Sequence, residues 1–488
     1  MDIILLIILS LNLISALIII PYPVNFFFLA TTSVNWKDPI PKEKYSELEL
    51  PSVTIQLPIY NESKIIEKTL VNLENIIYPL DRLKFQILDD STDDTSRLIE
   101  LNIKRLKEKG FNVNIIRRST RDGFKAGALR NGLSKDNSEF VAMFDSDFVI
   151  NPNFLHNCIH YFKDRNDIGA VQARWGYSNL NYSLFTRAMS IGLDGHFWVE
   201  KIGRKCLSAY ISFNGTGGIW RRAAIDASGG WSSDTLAEDL DLAYRAQMKG
   251  YELVYLTGVV NNQEIPPTLR TWIIQQSRWS KGFSQNIRKN FLLFLFLSPN
   301  CSFVCKIQGI FHLAQYFIPF MIVINTITST LLIFSPSFNT EIFSIFGLLF
   351  TVAIVCGIVA YASAIIRAER ARWDLFLIPL FLFWGGGLVV RMAVGTLTGF
   401  VKKGGEFVRT PKYNLSGIAD SSRQKIHDHI PLDKLTIVEL IYMLILVLGF
   451  VKYCTLGGFY LFNAFYFLFL CLGMLNLLIS ELVHAFSS

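Results

Sequence analysis

Phe140-Val141-Ala142-Met143-Phe144-Asp145-Ser146-Asp147 holds the reading that decides the fold. Five apolar residues are too few for a helix and read as a buried strand, and the abrupt change to Asp-Ser-Asp marks that strand's carboxyl end. Alternate side chains of extended chain share a side, so Asp145 and Asp147 can both reach one cation. Working outward, Val53 to Leu57, Phe85 to Leu88, Val113 to Ile116 and Ala170 to Ala173 are similar β-branched or aromatic runs. Amphipathic stretches over Glu62 to Ile77, Asp94 to Lys109 and Lys125 to Leu133 separate them, so the chain alternates strand and helix. That alternation predicts an α/β domain with a mostly parallel sheet and flanking helices.

In open sheets of this kind ligands bind beyond the carboxyl ends of the strands. The residues there are polar: Tyr60-Asn61-Glu62 after the first strand, Asp89-Asp90-Ser91-Thr92-Asp93 after the second, and Asp145-Ser146-Asp147 after the fourth. Several carboxylates around one crevice repel a bare polyphosphate until a divalent cation joins it, which predicts Mg²⁺ or Mn²⁺ on oxygen ligands. Taken alone, Asp89 to Asp94 reads equally as a turn and helix entry. Further along, Thr235-Leu236-Ala237-Glu238 has the form of a capping box opening a helix over Glu238 to Lys249. Asp239 and Asp241 then fall in its first turn, where the helix dipole favours anions without any catalytic role.

The rest of the chain is of another kind. Of 488 residues 51% are hydrophobic, and the mean hydropathy is +0.33, too apolar for a wholly soluble protein. The long uncharged runs lie in 1–33 and 308–486, flanking an ordinary charged region over 34–300. Ile3 to Ile20, continuing through Phe28, is long enough to cross about 30 Å of hydrocarbon, and its lack of a basic start and a small-residue cleavage pattern makes it an anchor. Gly309 to Phe334, Phe343 to Ile366, Thr436 to Tyr453 and Gly458 to Leu482 are the other expected spans.

Leu375 to Phe400 carries Arg391, Gly385 to Gly387 and a basic loop on each side, Arg367 to Arg372 and Lys402 to Lys434, and is expected at the interface. The predicted organisation is an anchor over 1–33, a catalytic domain over 34–300, a transmembrane hairpin over 301–372, an interfacial helix with a cytosolic loop over 373–435, and a second hairpin over 436–488. Five spans put the amino terminus outside and the 34–300 domain in the cytosol. Lys and Arg beside the cytosolic ends account for the net charge of +7 through membrane lipids, without a nucleic-acid partner. The seven cysteines show no paired C-x-x-C spacing and are expected as reduced thiols, Cys301 and Cys305 included.

The ordered series LPIYNE, LDDST, DGFKAGALRNGL, FDSDF, VQARW, FNGTGGIWRR, AEDLDLAYRAQMKGY and QQSRW resembles the processive family-2 glycosyltransferases of the cellulose synthase and cellulose-synthase-like mannan or glucan synthase type, over roughly residues 50–290. The resemblance implies a GT-A-like domain inserted between transmembrane helices. It implies that Asp145 and Asp147 bind the metal, and that Tyr60, Glu62, Asp90, Lys125, Gln275 and Arg278 hold a nucleotide-sugar donor. Asp239 becomes the general base of a T-E-D motif in which Ala237 replaces threonine. Trp279, Asn214 and Gly215 face the acceptor, with the indole as a stacking platform. Phe407, Thr410 and Lys412 belong to a gating loop related to F-x-V-T-x-K, in which Arg409 replaces valine.

The implied activity is a membrane-bound, inverting, metal-dependent hexosyltransferase that polymerises UDP-glucose or GDP-mannose into a β-linked glycan and moves it through its membrane helices. The acceptor is then the growing glycan. The competing reading is a non-processive transferase adding one sugar to a membrane lipid.

Overall fold

The computed structural model describes residues 3–298, 301–336, 341–415, 426, 430 and 432–485. The remainder of the 373–435 loop therefore lies outside the described residues. Seven strands form one sheet: β1 (Val53–Ile59), β2 (Leu83–Asp89), β3 (Asn112–Arg117), β4 (Phe140–Met143), β5 (Ile168–Tyr177), β6 (Gly218–Arg221) and β7 (Glu252–Gln263). Their order is β3-β2-β1-β4-β6-β5-β7. The half β3-β2-β1-β4 is parallel, and β5 runs parallel to β7. β6 is antiparallel to both neighbours, with Met143 opposite Gly218 and Ala170 opposite Trp220.

All five expected strands are present. The sheet has two more, because β6 is only four residues long and β7 is broken by polar residues and Gly258, so neither has a clean apolar signature. Helices cover both faces, and Val53, Ile55, Leu57, Phe85, Ile87 and Val141 are buried in the layer between. The first interstrand helix is shorter than expected, Ile66–Leu73, and the helix after β2 runs from Thr95 to Glu108. The expected capping box does not form: the helix Glu238–Met248 is entered from Ala237 with no side-chain cap, and Thr235 instead lies 3.4 Å from Asn286 Nδ2.

Among the described residues five helical segments are long and apolar enough to cross a membrane: Ile3–Thr32, Phe303–Ile333, Ile345–Arg367, Lys434–Leu456 and Tyr460–Leu482. They coincide with the five expected runs. The remaining apolar run is two helices, Arg372–Gly387 and Val389–Val401, meeting at 53°. Polar side chains fasten the helices together, as expected where lipid supplies no hydrophobic drive. Asn12 donates to Thr328 Oγ1 at 2.9 Å and Ser329 Oγ at 2.8 Å. Arg391 is ringed by Glu439 at 2.9 Å, Glu481 at 2.7 Å and Asp433 at 3.0 Å.

The basic loop Arg367 to Arg372 grips the α/β domain directly. Arg367 donates to the Trp198 carbonyl at 2.6 Å, and Arg370 pairs with Asp194 at 2.8 Å and Asp374 at 2.7 Å. One cysteine expectation is corrected: Cys301 and Cys305 are joined in a disulfide, because a spacing of four residues at a helix start leaves their Cα atoms 5.4 Å apart, within bridging reach.

Candidate active site

The carboxyl ends of β1, β2 and β4 open onto one cavity of about 670 Å³, and every residue expected to hold metal, donor or acceptor, or to act as base or in the loop, borders it. Its centre is a charged cluster around Lys125, on the helix Phe124–Leu133. The ammonium donates to Asp145 Oδ1 at 2.6 Å and to the Gly215 carbonyl at 3.0 Å, and lies 4.0 Å from Glu238. Burial disfavours that ammonium, but Asp145, Glu238 and Asp239 outweigh it and raise its pKa. Asp145 is held in place through its own N–H, which donates to Thr216 Oγ1 at 2.9 Å.

Asp239 reaches the same point from the far side. A Cβ on Gly215 would stand 2.8 Å from Asp239 Oδ2, and the backbone there has a φ of +73°, so only glycine lets the turn approach the carboxylate. Asp145 and Asp239, distant in sequence, thus converge on Lys125 and Gly215. Burial raises the pKa of Asp239, and Lys125 partly restrains the shift. Glu238 is pushed up to about 7, by burial first and by the charge of Asp239 second.

Asp147, which lines the same cavity, is held by a second lysine. Its Oδ2 accepts from Lys412 Nζ at 2.6 Å and from the Glu264 N–H at 3.2 Å. Phe407, Arg409, Thr410 and Lys412, expected from the sequence as a gating loop, thus line the cavity. Arg409 pairs with Glu62 at 2.7 Å and donates to the carbonyls of Tyr60 at 3.0 Å and Asn61 at 2.5 Å. Arg278 stacks over Phe407 at 4.2 Å, and buried Thr410 Oγ1 has no hydrogen-bond partner among the described residues. Glu62 is pushed up to about 7, chiefly by burial, with Asp147 adding and Arg409 opposing. Gln275, Arg278 and Trp279 line the cavity from the helix Leu269–Leu297.

The donor set suits a hard divalent cation. Such ions bind through one or two carboxylates completed by substrate phosphate oxygens. Asp145 has a side chain 38% exposed and Asp147 one 4% exposed, and each is charge-balanced now by a lysine that a cation would relieve. Among the described residues no three His, Cys, Asp or Glu side chains form a closed metal cage, so the pair needs donor oxygens to complete a site.

Several residues at or behind the cavity wall went unread in the sequence. Arg118, behind the wall, pairs through both oxygens of Asp90, and Arg121, which lines the cavity, lies 3.3 Å over the Tyr60 ring. The basic run Arg117-Arg118-Ser119-Thr120-Arg121 at the end of β3 was the available signal. His196 and Glu200 carried none, since only the folded chain brings them to the cavity. The cavity also continues between apolar helices, past Tyr22, Phe26, Tyr316, Tyr361 and Phe381.

Residues 140–386 match glycosyl transferase family group 2, and residues 54–225 match glycosyl transferase family 2. The chain is similar to a probable glucomannan 4-beta-mannosyltransferase 3 of Oryza sativa subsp. japonica, 42% identical over 243 residues, which is 49% of this chain and 44% of the relative. It is also similar to glucomannan 4-beta-mannosyltransferase 2 of Arabidopsis thaliana, 38% identical over 267 residues, 52% of this chain and 50% of the relative. The chain thus spans about half the length of these curated relatives. Among solved structures it resembles the mannosyltransferase PcManGT from Pyrobaculum calidifontis, in complex with GDP-Man and Mn²⁺. That likeness has a TM-score of 0.54 and 18% identity and covers 80% of this chain and 99% of that one, which establishes the shared fold.

Proposed function

We propose, from the premise that the chain belongs to glycosyl transferase family group 2, that it is a membrane-embedded, inverting, processive β-mannosyltransferase drawing on GDP-mannose at a cytosolic domain. UDP-glucose is the alternative donor. The preference for mannose rests on the names of the relatives, which are glucomannan mannosyltransferases. The reading is carried by one observation: Asp145, Lys125, Asp239 and Trp279 border a single cavity that runs on between the apolar helices.

In this reading Tyr60, Glu62 and Asp90 hold the nucleotide, and Lys125, Gln275 and Arg278 face the diphosphate. Asp239 accepts the proton of an acceptor hydroxyl as its oxygen attacks the anomeric carbon. The bond from that carbon to the diphosphate breaks on the opposite face, the nucleoside diphosphate leaves, and an α-linked donor yields a β-linked product. Asp145 and Asp147 would hold Mg²⁺ or Mn²⁺, which supplies positive charge to the leaving diphosphate. Trp279 offers a stacking face to the terminal sugar, and Asn214 and Gly215 flank its hydroxyls. The loop carrying Phe407, Thr410 and Lys412 closes over the donor. The cavity's continuation past Tyr316 and Tyr361 supports a route for a lengthening chain rather than release after one transfer.

The test is transfer by the full chain in nanodiscs with Mn²⁺ and radiolabelled GDP-mannose or UDP-glucose in turn. We expect polymer from GDP-mannose that β-mannanase digests, abolished by EDTA and lowered about 10³-fold by Asp239→Asn, the scale of a lost general base. A short product soluble in organic solvent, or an Asp239→Asn variant as active as wild type, overturns the reading.

A further inference from the structure

Beside Asp239, the Asn214 amide is held in one orientation by residues behind it. The chain makes a wider, π-helical turn over Gly195–Glu200, which places His196 and Glu200 at the cavity wall. Glu200 Oε2 stands 2.9 Å from His196 Nδ1 and 3.5 Å from Arg204, whose side chain is 3% exposed. A carboxylate only accepts, so the imidazole proton sits on Nδ1. Burial, with Lys201 and Arg204 nearby, holds the ring's pKa below its usual value despite Glu200, so the ring is neutral and Nε2 is a lone pair.

That lone pair faces Asn214 Nδ2 at 3.0 Å, and the amide nitrogen must donate to it. The amide oxygen is thereby turned away from the histidine. Asn214 Oδ1 is buried and has no hydrogen-bond partner among the described residues. The backbone on either side is fixed, with the Asn214 N–H donating to Gln172 Oε1 at 3.0 Å and Gly215 lying against Asp239. A buried carbonyl without a donor is unfavourable in a finished structure and is expected where a ligand supplies the missing donor. The groups that bring O–H donors next to Asp239 are the hydroxyls of an acceptor sugar.

We infer that Glu200 and His196 are positioning residues for the acceptor glycan: they fix the Asn214 amide so that its Oδ1 accepts a hydrogen bond from a hydroxyl of the sugar attacking beside Asp239. The inference rests on the glycosyl-transfer reading above and adds the residues that decide how the acceptor is held. His196 touches neither substrate in this scheme. Its effect passes wholly through Asn214, which separates it from a residue that merely fills space.

The experiment is a double-mutant cycle on the full chain in nanodiscs, with GDP-mannose and manno-oligosaccharides of defined length as acceptors. His196→Ala and Asn214→Ala are each expected to raise the acceptor KM about tenfold, the scale of one lost hydrogen bond, with the GDP-mannose KM unchanged. The double variant should be no worse than Asn214→Ala alone. His196→Asn, which keeps an amide oxygen to accept from Asn214, should recover part of the loss and serves for the cycle if His196→Ala does not fold. Effects that multiply in the double variant, or a donor KM that rises as much as the acceptor KM, overturn the inference while leaving the transfer reading intact. Wild-type protein that transfers from neither GDP-mannose nor UDP-glucose overturns both.

Discussion

Asp239, the proposed general base, is buried, which bears on the pH dependence of the proposed transfer. A general base must be ionised, and burial raises its pKa above the ordinary 3.8, so activity is lost as pH falls through this raised value rather than at the usual aspartate pKa. Lys125 is the nearest favourable charge and holds the shift down. Lys125→Gln should therefore move the acidic limb of the kcat profile upward as well as lowering its plateau, which a pH–rate series with saturating donor measures. An unmoved limb would assign that limb to another group. At this scale the carboxylates were legible because each stands at a strand end or in a motif of fixed spacing. His196 and Glu200 were not, since a histidine four residues before a glutamate on a helix is ordinary, and only folding sets that pair behind Asn214.

The loop from Lys402 to Lys412 is rooted in the helix Leu269–Leu297, for Gln285 Nε2 donates to the carbonyls of Lys402 at 3.0 Å and Gly404 at 2.6 Å. Its far end places Lys412 on Asp147, where a cation would bind. Lys412→Met should accordingly tighten Mn²⁺ binding several-fold in the absence of donor, as read by titration with electron spin resonance, because a competing positive charge is gone. The root is close-packed as well: a Cβ on Gly399 would meet the Lys281 carbonyl and stand 2.8 Å from Ser284 Cβ. Gly399→Val should cost about 1–3 kcal/mol by overpacking, seen as a lower melting temperature in detergent, and should disturb the placement of Trp279 on the same helix. Among the elements, the sequence pattern revealed β1 to β5 through their apolar runs. It missed β6, whose four residues leave no period to read, and β7, which polar residues and Gly258 interrupt, and it misplaced the helix cap at Thr235, where Asn286 competes for the hydroxyl.

The molecule as a whole joins a sheet to a bundle, through apolar packing and buried ion pairs, and the bundle itself is held by a further ionic cluster. Arg391 is 8% exposed and balances Glu439 and Glu481, both fully buried, across three separate helices. Arg391→Leu strands two carboxylates and should cost about 3–5 kcal/mol, whereas leucine or glutamine at all three positions should recover much of that stability. Thermal unfolding of the two variants in the same detergent distinguishes them. The spans were legible from length and apolarity alone, but the grip of Arg367 and Arg370 on the α/β domain was not, since basic loops beside spans read first as lipid contacts. β6 runs against both of its neighbours, β4 and β5. Gly217 N–H donates to the Met143 carbonyl at 2.8 Å, so the turn bearing Asn214 and the turn bearing Asp145 hang from adjacent rungs of one ladder. In the proposed reaction the interval between leaving group and incoming hydroxyl would then be gauged by sheet geometry, and drift in the proposed nucleotide pocket beyond β1 and β2 would change which donor is admitted without disturbing that interval.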